Sequence, residues 1–60
     1  MTFRYYKARK GEWRFRLVAS NGETVAQSEG YKNKKDCLRT INLIREYAND
    51  AKVEQVGDKE

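Results

Sequence analysis

The chain has 60 residues, 13 of them Lys or Arg and 9 Asp or Glu, for a formal charge of +4 at pH 7. With no His and a single Cys, a His-containing catalytic triad, a multi-Cys zinc site and an intramolecular disulfide are all excluded. The longest apolar run is Leu17-Val18-Ala19, far short of the roughly 20 residues that a membrane helix needs.

Leu, Ile, Val and Phe number only 11, which borders on the composition of a disordered chain. Aromatic residues at 12% and the modest net charge argue instead for one small folded domain over residues 1–60. Its structured core is expected over 3–56, with 57–60 frayed. Charge is unevenly placed. Residues 1–35 hold nine basic residues against Glu12, Glu23 and Glu29, whereas residues 36–60 hold four basic and six acidic ones. That split suggests an anion-binding face or charge-complementary self-association. A lone Cys, no Asn-x-Ser/Thr acceptor and no leader place the expected compartment in a reducing cytoplasm.

In chain order, Phe3–Ala8 and Glu12–Ala19 alternate and are rich in aromatics, the pattern of half-buried strands. Between them Arg9-Lys10-Gly11 is a three-residue loop with Gly11 in the left-handed region. This loop sets Phe3 against Leu17, Tyr5 against Phe15, Tyr6 against Arg14 and Ala8 against Glu12. Phe3, Tyr5, Trp13, Phe15 and Leu17 then share one face, which a one-residue slip would mix with charged side chains. The second hairpin is expected to turn at Asn21-Gly22 in a type I′ turn. It pairs Ala19 with Thr24, Leu17 with Ala26 and Phe15 with Ser28 on the core face. On the other face it pairs Val18 with Val25, Arg16 with Gln27 and Arg14 with Glu29. Small residues on the third strand would let a helix approach closely.

That helix is expected after Gly30-Tyr31, capped by Asn33 with Asp36 in its first turn. Cys37, Leu38, Ile41, Leu43, Ile44, Tyr47 and Ala48 form a broad apolar stripe. The helix should stop near Asn49-Asp50, and Ala51–Val56 has the make-up of a short strand. Ordering each residue costs roughly 1.5 kcal/mol, and a chain this short buries only about 60% of its unfolded surface. With disulfides and metals excluded, association is the remaining support, and the weak last strand has most use against a sheet edge. The reading is a homodimer.

Gly11–Leu17, Ala19–Glu23 and Ser28–Lys32 resemble, in order and spacing, the YegP-like family of small domains. The match continues through Asn33-Lys34-Lys35, Ile41, Ile44 and Asp50-Ala51, covering about residues 3–56. The resemblance implies an α+β fold, a β-β-β-α-β unit with an antiparallel meander and one helix on one face. It also implies a homodimer with one continuous sheet and exchanged C-terminal strands. Asn33 stands where the family tends to have Ser, Thr40 where Gly is common, Asn49 where Pro is frequent, and Cys37 at a position usually held by Ala. The family brings no activity or cofactor.

The residues themselves offer two candidate sites. On the outward sheet face Arg4 stands across from Arg16 and Tyr6 beside Arg14. Opposed like charges cost stability unless an anion neutralises them, and a basic face carrying an aromatic is the general form of a single-stranded nucleic-acid platform. Arg4, Tyr6, Arg14 and Arg16 are therefore the candidate polyanion-binding residues. Against this, pairing of Arg14 with Glu29 and cover of Tyr6 by Arg stems would leave an ordinary solvated surface. A secondary anion site is Lys32, Lys34 and Lys35 at the helix start. Cys37 sits on the apolar stripe and reads as a small hydrophobe, and Trp13 and Tyr31 read as core or dimer anchors. Asp50, Glu54 and Asp58 share a tail with no pocket to work in. The sequence thus leads to a cytoplasmic binding module that is not an enzyme and uses no cofactor or metal. Its partners would be itself and nucleic acid or another polyanion. The alternative is a protein-interaction or structural module that meets an unidentified protein and no nucleic acid.

Overall fold

Alternating aromatic and charged residues build three antiparallel strands in the computed structural model. It describes residues 1–57, so residues 58–60, with Asp58 and most of the end expected to fray, lie outside the described residues. Strands β1 (Thr2–Lys7), β2 (Trp13–Val18) and β3 (Thr24–Gln27) lie side by side in that order. Helix α1 (Lys34–Tyr47) follows and tightens into a 3₁₀ turn at Ala48–Asp50. The fold is α+β.

The first hairpin takes the register that its loop dictates, with Phe3 opposite Leu17, Arg4 opposite Arg16, Tyr5 opposite Phe15 and Tyr6 opposite Arg14. The Ala8 N–H donates to Glu12 O at 2.6 Å and the Gly11 N–H to Ala8 O at 2.9 Å, with Gly11 at φ 84°. The second hairpin departs from the expected type I′ turn. Such a turn needs two residues at positive φ, and here only Gly22, at φ 91°, has it. The loop instead repeats the first: Ala19 N–H donates to Glu23 O at 2.8 Å and Gly22 N–H to Ala19 O at 2.9 Å. Asn21 keeps a negative φ, and its side-chain Oδ1 accepts the Glu23 N–H at 3.1 Å. The longer loop shifts the nearby register, so that Val18 faces Thr24 rather than Val25, and a bulge restores Leu17 opposite Ala26.

Past β3 the ladder is carried by a side chain. Ser28 N–H donates to Phe15 O, Ser28 Oγ accepts the Phe15 N–H, and its hydroxyl donates to Glu29 O, at 3.0, 3.0 and 2.8 Å. The chain then bulges through Glu29-Gly30 and rejoins β2, where Tyr31 and Trp13 exchange backbone hydrogen bonds of 2.7 and 2.8 Å. A Cβ on Gly30 would lie 2.6 Å from Glu12 Cδ and 3.1 Å from its Cβ. A larger residue here would have to push the Glu12 side chain aside.

Asn33 occupies the cap position with extended backbone, but its side chain caps no N–H, contrary to expectation; its amide turns to the Asp36 carboxylate at 3.4 Å. Phe15, Cys37 and Ile41 form the buried centre, with Phe3, Trp13, Tyr31, Leu38 and Ile44 packed around it. Tyr31 stacks on Phe15 at 6.5 Å and Phe3 meets it edge-on at 5.8 Å. The helix lies over β2 and β1, so β3 is exposed along its whole length and its small residues admit no close helix. The expected apolar stripe is also too broad: two covered strands give room for Cys37 and Ile41, while Leu43 and Tyr47 are 56% and 57% exposed. Residues 51–56 leave the helix as chain outside any ladder, extended at Ala51, with Val53 99% and Val56 89% exposed. No helix among the described residues is long and apolar enough to cross a membrane.

Candidate functional site

Because side chains alternate along a strand, the register that buries Phe15 turns Arg4, Tyr6, Arg14 and Arg16 to the opposite face. All four predicted residues come together there. Arg4 and Arg16 are direct cross-strand partners, a like-charge pair that destabilises the bare sheet. The Arg16 guanidinium lies over the Tyr6 ring, 4.8 Å from its centroid, a contact worth about 0.5–1 kcal/mol at an exposed site.

Arg14 differs from the other two arginines. Its acid is Glu12, at 3.1 Å through Nη2, and not the expected Glu29. Glu29 is carried away by the bulge that follows Ser28, whereas Glu12 lies just before β2, two residues from Arg14. Both partners are only partly covered, so the pair contributes about 1 kcal/mol at most. Arg14 Nε is covered yet has no hydrogen-bond partner, leaving a donor unsatisfied. The net positive charge of the face therefore resides on Arg4 and Arg16. The loop beside it adds Arg9 and Lys10, which with Glu12 and Arg14 line an open depression of about 370 Å³.

The predicted secondary site does not assemble as a set. Lys34 leaves its neighbours and places its ammonium 5.7 Å from the centroids of both Tyr5 and Trp13 on the inner sheet face. Those two rings stand 6.2 Å apart. The contact offsets the cost of a cation at a helix start, where the dipole disfavours it. Sequence reading missed this cluster, although Tyr5 and Trp13 on one face near the helix start were its signal. Lys32 and Lys35 remain exposed. Cys37 is wholly buried, and burial pushes its thiol above the ordinary value of 9.0; it is a packing residue, as its place on the stripe implies. No cluster of His, Cys, Asp or Glu among the described residues can hold a metal ion.

Fold and face together define a class, the small sheet-and-single-helix domain that presents a basic outer face. Residues 8–55 match a domain of unknown function, DUF1508, and the chain belongs to that family, the YegP-like proteins also called UPF0339. It is 41% identical over 56 residues to a UPF0339 protein of Neisseria meningitidis serogroup B, covering 93% of this chain and all of that one. A UPF0339 protein of Treponema denticola is 44% identical over 54 residues, 90% of this chain and 93% of its own. A "UPF0339 protein in ptx operon 5'region" of Stutzerimonas stutzeri is 45% identical over 49 residues, which are 82% of this chain but only 44% of that protein. The solution structure of a Haloferax volcanii protein superposes with a TM-score of 0.81 at 30% identity, covering 92% of this chain and 93% of that one.

Proposed function

We propose that this chain is a cytoplasmic, non-catalytic binding module that takes single-stranded nucleic acid, or a polyanion of like charge spacing, on the outer face of its sheet. The observation that carries the reading is the opposed pair Arg4 and Arg16, with the Arg16 guanidinium over the Tyr6 ring. Two guanidinium groups on adjacent strands, without an ion pair among the described residues, suit successive phosphates, and the Arg16–Tyr6 cluster offers a base a surface to stack on. The module works as a pair of chains joined through their sheets. Support comes from tail 51–56, which is extended at its start and bares Val53 and Val56, as a strand awaiting a partner's edge would. The Stutzerimonas stutzeri relative is more than twice the aligned length, which accommodates two such units in one polypeptide.

Fluorescence anisotropy of a labelled single-stranded oligonucleotide, at low and near-physiological salt, tests the site. Affinity should fall steeply with salt, and Arg16→Gln should weaken binding about tenfold, as loss of a stacked, charged contact implies. Arg14→Gln should weaken it less, because Glu12 already neutralises that side chain. Salt-independent binding, or no binding at low salt, overturns the reading. A protein that co-purifies after nuclease treatment, with oligonucleotide binding absent, would favour the second reading, a protein-interaction module using the bare tail.

A further inference from the structure

The solvent-facing side of α1 carries a pattern that the sheet does not explain. Lys35, Arg39, Leu43, Glu46 and Tyr47 recur at steps of three and four, so they form one stripe along the helix. All five are exposed, Leu43 and Tyr47 by more than half. With Leu38 and Asn42 they line an open groove of about 550 Å³. The stripe is segregated by charge: Lys35 and Arg39 lie in its first half and Glu46 near its end. Lys35 and Arg39 are one helical turn apart, a like-charge spacing that destabilises an isolated helix. None of the three makes an ion pair among the described residues.

This arrangement is self-complementary. Positions 39 and 46 are symmetric about the point midway between Asn42 and Leu43. A second helix laid antiparallel across a two-fold axis at that point sets Arg39 against the partner's Glu46. Leu43 falls beside the axis and meets its own copy, with Tyr47 on its flank. The Arg39–Glu46 pair occurs twice, as an isologous contact requires. We propose that the outer stripe of α1 is a docking surface for the same stripe of a second copy of this chain, in antiparallel register. The contact uses neither a sheet edge nor the tail, so it adds to any sheet-mediated pairing and joins such pairs to one another.

Sedimentation equilibrium of the full chain tests this across protein concentration, with circular dichroism to check that each variant keeps its helix. Arg39→Glu and Glu46→Arg should each raise the helix-contact dissociation constant about tenfold, two symmetric ion pairs being replaced by repulsion. Combining them should return it to within about threefold of the parent, since the exchanged charges again face each other. Val53→Asp with Val56→Asp removes the tail contact separately and should leave a self-association still sensitive to Arg39→Glu. If the tail variant abolishes all association, the tails alone join the copies and the helix contact is overturned. Single reversals without effect, or a double reversal that does not recover, overturn it as well.

Discussion

In the first hairpin the Ala8 N–H bonds to Glu12 O and the Gly11 N–H bonds back to Ala8 O; in the second, Ala19, Glu23 and Gly22 repeat that pattern at nearly the same distances. What surrounds the two loops differs. Behind the first stand Phe3, Tyr5, Trp13 and Phe15, with α1 laid across β1 and β2. Behind the second, β3 is exposed over all four of its residues. Equivalent turn chemistry therefore yields one strand pair anchored in the core and one held mainly by its ladder. The turn fixes which strands meet; the aromatic side chains and the helix fix how firmly. A strand held by its ladder alone, at a sheet edge, is also the natural place for another chain to pair.

The largest break in this comparison comes from the core side. Phe15→Ala removes the ring that Phe3 and Tyr31 pack against and should cost about 3–5 kcal/mol. In a domain whose whole stability is of order 5 kcal/mol, that leaves the chain largely unfolded in urea titrations at room temperature. Val25→Ala, on the exposed bulge of β3, should change stability by no more than about 0.5 kcal/mol. Comparable losses at the two sites would mean that β3 is covered in solution, and would point to an occupied edge.

A smaller effect joins the two hairpins where they meet. Gly30 bends against the Glu12 side chain, which is held by Arg14. Gly30→Ala must push that carboxylate aside and break the ion pair, for a loss of about 1–2 kcal/mol from crowding and the displaced contact. Glu12→Ala in the same chain should recover most of the loss, because the space is then free. Failure of the second substitution to rescue would show that the backbone of the Glu29-Gly30 bulge, and not Glu12, sets the requirement.

The sequence made the first hairpin legible because a wrong register would have put Leu17 and Phe15 against Arg4 and Tyr6. Burial leaves no room for that error. Around the second loop no such penalty exists: Val18, Thr24 and Val25 can pair either way at little cost, so loop length and a bulge decided the register. The candidate face was legible for the same reason as the first hairpin, being the reverse side of its core. Ion partners were not. Arg14 chooses Glu12 over Glu29 because of a bulge stabilised by one serine hydroxyl, and Lys34 chooses two rings because α1 starts close to the sheet. Both depend on where the backbone goes after β3, which neither alternation nor turn signals encode.

The last test sharpens the comparison most finely. Gly11 and Gly22 have nearly the same φ, 84° and 91°, and a Cβ at either would meet nothing within 4 Å. Alanine at either position therefore brings backbone strain alone, about 1–2 kcal/mol for an L-residue held in that region. At Gly11 the strain cannot be escaped without dismantling the core, so Gly11→Ala should lower global stability by the full amount. At Gly22 the exposed β3 can open locally and release it. Gly22→Ala should then cost measurably less in denaturant while speeding hydrogen exchange at the β2–β3 amides. Equal losses, with exchange unchanged along β3, would show that the bare strand unfolds only with the rest of the molecule and that its ladder binds it as firmly as aromatic packing binds β1.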